Sequence, residues 1–253
     1  MTGRHVYSPE GPRDLPREAA KGLPPGSQHY TAYVGPPAEY DAMAATQFRL
    51  LTTLGLREHH RLLDFGCGSL RVGRLLIPYL LPGNYHGIEP SSWLIEDAIA
   101  REIGHDQIRL KRPVLRANAD FSSDGFGIAF DFIVAQSVFS HAGADLVALG
   151  LSGFRRNLAP GGMVLATFVE VERSGFPEFA GGGWVYPNVV AYRQASIARL
   201  IRETGFSGVS LPWFHPRQTW YALAHTADAL PTPAQMVHLS GAVLRDPMSA
   251  ERI

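Results

Sequence analysis

The chain has 253 residues, with 23 basic and 23 acidic side chains and a formal net charge of zero. That length suits one large domain, or one domain with extensions, and a hydrophobic content of 45% supplies a sizeable core. No long Lys/Arg run is available to neutralise phosphates, which disfavours a nucleic-acid partner, and no basic-then-apolar leader or apolar run of about 18 residues marks a signal peptide or membrane span, so the expected compartment is the cytoplasm.

Residues 1–26 are rich in Pro, Gly and charge and are expected to form a disordered tail. Residues 27–60 are expected to form an N-terminal arm and a helix. The run Tyr30–Tyr40 is aromatic and proline-stiffened, and suits either a lid or an arm laid on the domain; Tyr33 is a candidate for contact with a substrate. From Asp41 to Leu56 the apolar residues Met43, Phe48, Leu51 and Leu54 have helical spacing, and Gly55 marks the end.

Next comes Arg61-Leu-Leu-Asp-Phe-Gly-Cys-Gly-Ser-Leu-Arg71, a buried strand, an acid, a tight glycine turn and a helix start. Such a turn brings backbone amides to a nucleoside-bearing ligand. A dinucleotide site places a third glycine where Arg71 stands, and Asp64 would repel a pyrophosphate while suiting a cation or zwitterion. The segment Asp64-Phe-Gly66-Cys67-Gly68 resembles the first motif of the class I S-adenosylmethionine-dependent methyltransferases, a strand followed by D/E-x-G-x-G. The resemblance implies S-adenosylmethionine as cofactor, with S-adenosylhomocysteine as product, and assigns Asp64, Gly66, Cys67, Gly68 and Leu70 to its binding. Cys67, the one cysteine, has no partner for an internal disulfide and is expected to be a small buried residue.

The second strand, Tyr85–Glu89, ends in an acid 21 positions after Gly68, a spacing at which a carboxylate accepts from both ribose hydroxyls. Pro90 and a serine N-cap follow, and Trp93 is placed to cover the adenine or to pack in the core. After the strand Val114–Ala117, the resemblance implies that Asp120 and Phe121 contact the adenine, the alternative being a turn aspartate and a core phenylalanine. Phe130–Ala135 is an apolar run that ends at Gln136 and Ser137, on the sheet edge where ligands bind. Asn157–Phe168 reads as helix end, Pro-Gly-Gly turn and fifth strand. The resemblance is close over residues 61–170 and looser to about 225.

Strands near 61–65, 84–89, 113–117, 130–136 and 162–169 alternate with helices near 70–81, 91–103, 144–158 and 192–204. Two further strand-like runs, Gly208–Phe214 and Gln218–Ala224, are joined so closely that they must be antiparallel. The fold class expected is α/β, a doubly wound, mostly parallel seven-stranded sheet with a C-terminal antiparallel hairpin, over residues 61–226. Residues 227–253 form an extension, with a short helix from about 233 to 245.

Substrate residues are sought on loops leaving the strands' carboxyl ends. His141 follows the fourth strand and suits a general base, or a helix cap. Glu170, at the end of the fifth strand, is a second possible base. The long segment to Ala191 holds Gly181–Gly183 beside Trp184 and Tyr186, an aromatic wall or a disordered insertion. His215 sits in the hairpin turn between prolines and is either structural or a substrate contact. Gln136, Ser137 and Ser140 stand where metal-dependent relatives hold carboxylates, so no metal is expected, and the N/D-P-P-Y/F motif of amide and nucleobase methylators is absent. The expected reaction is direct displacement onto a small molecule, at oxygen of a sugar-containing or secondary metabolite. Nitrogen or carboxylate transfer, possibly on a peptide, a cofactor-binding scaffold, and an NAD oxidoreductase are the alternatives. A monomer or homodimer is expected, with no nucleic-acid or membrane partner.

Overall fold

The structure is a computed structural model that describes residues 12–241. Strands β1 (Leu62–Phe65), β2 (Tyr85–Ile88), β3 (Val114–Arg116), β4 (Phe130–Ala135), β5 (Leu158–Phe168), β6 (Ser207–Leu211) and β7 (Thr219–Ala224) make one sheet in the order β3-β2-β1-β4-β5-β7-β6. The first five strands pair in parallel, and β7 runs antiparallel to both β5 and β6. The fold class read from the sequence is therefore the one observed.

Nine α-helices accompany the sheet among the described residues: α1 (Arg17–Ala20), α2 (Tyr40–Thr53), α3 (Gly73–Tyr79), α4 (Ser92–Ala98), α5 (His105–Lys111), α6 (Ala144–Asn157), α7 (Val171–Ser174), α8 (Gln194–Glu203) and α9 (Pro233–Gly241). They cover both faces, so the central strands have no polar side. Alternate residues of β1 show this: Leu62 joins the core under α2 and α3, and its neighbour Leu63 joins the core under α6 and α8. Every residue of β1 and β2 is buried, whereas the edge strand β3 is exposed at two of its three positions.

Two differences from expectation stand out. Residues 12–26, expected as part of a disordered tail, are built into the fold. Arg13 grips Asp97 through two hydrogen bonds of 2.9 Å, and Arg17 pairs with Asp41 and Glu102. Tyr30 Oη donates to Glu102 at 2.6 Å and continues the same seam. Residues 1–11 and 242–253 lie outside the described residues, so the expected helix end near 245 does too; α9 is described to Gly241. Second, β5 begins at Leu158, before the Pro160-Gly161-Gly162 turn. Leu158 pairs with Phe130 and Met163 with Phe132, so the intervening residues bulge out of the ladder.

The strand order reverses between β1 and β4, which opens a crevice at their carboxyl ends. Because β6 runs parallel to β1–β5, the β6–β7 connection carrying His215 reaches the same edge.

Candidate active site

A cavity of about 700 Å³ occupies that crevice. Its floor is the turn after β1. Gly66 and Gly68 have φ of +73° and +53°, a region costly for residues with a Cβ. Space adds a second constraint: a Cβ on Gly66 would meet Val138 Cγ2 at 2.5 Å, and one on Gly68 would meet Val34 Cγ1 at 2.7 Å. The turn is thus a backbone surface with no room for side chains. Leu70 also takes a left-handed φ of +52°, but its side chain is fully buried in the core and does not line the cavity.

Glu89 is positioned by backbone amides. Its Oε2 accepts from Gly68 N–H at 3.0 Å and its Oε1 from Ser91 N–H at 2.8 Å. Burial raises its pKa while those donors oppose the rise. Asp64 is 4% exposed and accepts from Tyr85 Oη at 2.7 Å. Burial pushes its pKa up to about 6, against the pull of Tyr85 and Arg71. Arg71 lines the cavity, donates to the Val34 carbonyl at 2.8 Å, and forms no ion pair among the described residues. Burial lowers its pKa. Cys67 is buried, and burial pushes its thiol well up, so it is a poor nucleophile.

The second wall is assembled from distant segments. His141 ends a 3-10 turn after β4 (Phe139–His141). Its Nδ1 lies 2.7 Å from the Asn188 carbonyl oxygen, which can only accept. Nδ1 therefore carries the proton, and Nε2 is left as the basic nitrogen. Burial lowers the His141 pKa below its ordinary 6.5. The glycine-rich segment is stitched to this turn: Gly143 N–H donates to Gly183 O at 2.8 Å and Val185 N–H to His141 O at 2.9 Å. Its glycines allow close approach, since a Cβ on Gly143 would meet Gly182 Cα at 2.5 Å. Trp184 and Tyr186 then flank His141, with ring centroids 5.7 and 5.0 Å away. Tyr186 Oη donates to Tyr33 O at 2.8 Å, which ties the N-terminal arm to the same wall.

His215 reads differently from His141. Its Nδ1 accepts from the Arg217 and Gln218 amides at 3.2 and 3.0 Å, so its proton sits on Nε2. Burial, with Arg71, Arg217 and Arg173 nearby, pushes its pKa down to about 3. It is a neutral donor in the cavity wall, and its one basic nitrogen, Nδ1, is occupied by the two amides and not free to act as a base. Gln136 Nε2 lies 3.4 Å from that Nε2. Gln136 Oε1 has no partner as placed, and turning the amide over would set it to accept from His215.

Of the residues expected at the site, Asp64, Gly66, Cys67, Gly68, Glu89, Pro90, Phe121, Gln136, Ser137, Tyr33, His141, Trp184, Tyr186 and His215 line this one cavity. Four do not. Leu70 is core, as described. Trp93 packs on Tyr33 at 5.3 Å and under Arg13 at 5.1 Å, and its neighbour Leu94 takes the cavity wall. Asp120 is exposed and accepts from Ser122 N–H at 2.7 Å, a turn aspartate. Glu170 is buried, holding Tyr221 Oη at 2.5 Å and Gln194 Nε2 at 3.2 Å, so it is a structural carboxylate away from the cavity. Sequence reasoning missed Gln47, Leu94, Arg217 and Gln218, and it read Arg71 only as a break in a glycine pattern. A signal existed for Gln47, a polar residue in the apolar stripe of α2 between Met43 and Leu51. Among the described residues, no group of three His, Cys, Asp or Glu is arranged to hold a metal, and no helix is long and apolar enough to cross a membrane.

Comparison with known proteins agrees with the geometry. A family model described as a methyltransferase domain matches residues 63–164. The CcbJ methyltransferase from Streptomyces caelestis is 16% identical, with 87% of this chain and 100% of that chain covered at a TM-score of 0.60. Magnesium protoporphyrin IX methyltransferase from Synechocystis PCC 6803 with bound S-adenosylhomocysteine is 13% identical, covering 75% of this chain and 84% of that one at a TM-score of 0.55. The glycopeptide N-methyltransferase MtfA with S-adenosylmethionine is 14% identical, covering 72% and 94% at 0.54. No curated protein sequence matches the chain. At these identities the likeness is one of fold, while the domain match spans the glycine turn, Glu89 and β4. Residues 63–164 thus match a methyltransferase domain, and the sheet built around them has the fold of the class I S-adenosylmethionine-dependent methyltransferases.

Proposed function

We propose that this methyltransferase acts on a hydroxyl of a small molecule, a sugar-containing or secondary metabolite, without a metal ion. The residues present fit the cofactor: the glycine turn has no room for a Cβ, and Glu89 is already oriented by two amides. In this reading Glu89 accepts from the ribose hydroxyls, Leu94 and Phe121 flank the base, and Asp64, Gln136 and Ser137 face the amino-acid end. Bound S-adenosylmethionine supplies a methyl group already activated by its sulfonium. The protein's part is then to orient the acceptor, exclude water and take up the hydroxyl proton.

His141 is suited to that proton. Its Nδ1–H is committed to the Asn188 carbonyl, its Nε2 is basic, and its lowered pKa keeps it neutral at pH 7. This is the observation that carries the reading. Trp184, Tyr186 and Tyr33 add apolar ring faces on which a sugar or flat ring can lie. The test is His141→Ala, assayed for turnover and, by calorimetry, for cofactor affinity. Loss of turnover with affinity kept supports a base. Full turnover across pH would overturn it and favour an amine acceptor, the class named for the glycopeptide N-methyltransferase of the same fold.

A further inference from the structure

Three glutamines, Gln47, Gln136 and Gln218, line the cavity, and each has an amide group without a partner. Gln136 Oε1 is buried and unpartnered as placed, and so is Gln218 Oε1, although Gln218 Nε2 donates to Ser137 Oγ at 2.9 Å. Gln47 goes further. It is 2% exposed, and among the described residues its side-chain amide makes no hydrogen bond. Tyr40 Oη donates to Ser69 O at 3.0 Å, which sets the start of α2 over the glycine turn. From there the buried face of the helix runs through Met43 and Gln47 to Leu50 and Leu51, which share a core with Val134 and Trp220 of the sheet. Met43 and Gln47 line the cavity, and Leu50 and Leu51 do not. Gln47 thus stands at the step where the core ends and the cavity begins. A buried amide without a partner is destabilising, and an apolar side chain of similar size would suit that step better. The charges around it are matched. Arg217 pairs with Glu39 at 2.9 Å, Asp64 and Glu39 both act on Arg71, and His215 is neutral. A ligand group that reaches this wall meets donors and acceptors, and no unbalanced charge.

We propose that Gln47 is a specificity-determining residue for the methyl acceptor. Its amide binds a neutral group that both donates and accepts hydrogen bonds, a hydroxyl or a carboxamide other than the group that is methylated, with His215 and Gln218 as the further polar groups of that wall. A site built to satisfy such a group rejects an acceptor that lacks it, because the buried amide is then left unpaired. The inference rests on the functional reading above and narrows its acceptor to one that carries a second, uncharged polar group.

The test compares wild type with Gln47→Met, which keeps the length of the side chain and removes its donors and its acceptor. Thermal unfolding without ligand should give an equal or higher Tm, since no hydrogen bond is lost. A fall of more than about 3 °C, repeated by Gln47→Leu, marks Gln47 as structural and overturns the proposal. Calorimetry with S-adenosylmethionine should find affinity within about twofold of wild type; a loss of about tenfold assigns the amide to the cofactor and overturns it equally. The small molecule that wild type labels with a deuterated methyl group in a cell extract is then purified and used as acceptor. Its KM should rise about tenfold or more in Gln47→Met, with kcat within about threefold. An unchanged KM overturns the proposal, and so does a labelled product whose fragmentation shows neither a second hydroxyl nor an amide; otherwise the fragments say which of the two is present. Label in no small molecule, with cofactor binding intact, is instead the failure of the functional reading, and the proposal falls with it.

Discussion

The two halves of the cavity are built in different ways. The half at the ends of β1 and β2 is local. Asp64, Gly66 and Gly68 lie within five residues of chain, and Glu89 is fixed by the Gly68 and Ser91 amides. The half beyond β4 is assembled from far apart. His141 depends on the Asn188 carbonyl, Tyr186 reaches back to Tyr33, and Gln218 Nε2 donates to Ser137 Oγ at 2.9 Å. The first half offers a ligand mainly backbone groups, and the second is a wall of side chains brought together from separate loops.

Breaking the backbone half is expected to have the largest effect. Gly66→Ala adds a Cβ 2.5 Å from Val138 Cγ2 at a φ of +73°, and calorimetry should find cofactor binding lowered a hundredfold or more, about 3 kcal/mol. Glu89→Ala strips two amide hydrogens of their acceptor and should weaken binding about ten- to a hundredfold. The side-chain half responds in turnover instead. His141→Ala should lower kcat by roughly a hundredfold and leave cofactor affinity within about twofold.

Acid sharpens the contrast, because each half has its own titrating group. Asp64, with a pKa pushed up to about 6, must be ionised to face a cationic ligand. Cofactor affinity should therefore be flat above pH 6 and fall below it, and Asp64→Asn should flatten the curve. The sign for stability is opposite. The folded pKa exceeds the ordinary 3.8, so the Asp64 contribution to stability is present at low pH and lost as pH rises through 6. The cofactor-induced rise in Tm should then be larger at about pH 7.5 than at about pH 5. His141 acts as a base only when neutral, so its limb in kcat inflects below 6.5, and His141→Ala should abolish that limb.

The smallest effects test the residues that lie off the cavity. Glu170→Ala leaves Tyr221 Oη without its acceptor, and should cost about 1–3 kcal/mol in denaturant unfolding while turnover per folded molecule is kept. Trp93→Ala should change cofactor affinity by less than about threefold, since Leu94 and not Trp93 lines the wall.

These outcomes follow how far each feature could be read from the chain. The sheet was legible because β1, β4 and β5 are apolar runs bounded by turn residues. Glu89 was legible because its place depends only on its distance from the glycine turn. Trp93 was misplaced because neighbours on a helix point about 100° apart, and periodicity alone does not say which one meets the ligand. Glu170 resembled a base until Tyr221 and Gln194, 51 and 24 positions away, were found on its oxygens. The arm at 12–26 looked solvated because its arginines find acids more than eighty positions on, at Asp97 and Glu102. The company of Arg71 and His215 was hidden for the same reason, since residues so far apart in the chain come to line one cavity only in the fold.

The measurement that tests the central claim most directly is isotope transfer. Wild type and His141→Ala are incubated with S-adenosylmethionine carrying a deuterated methyl group, a cell extract and EDTA, and the label is followed by mass spectrometry in small-molecule, protein and nucleic-acid fractions. The account predicts label on an oxygen of one small molecule with wild type, and its loss with His141→Ala. Label in protein or nucleic acid, or equal labelling by both enzymes, would contradict it.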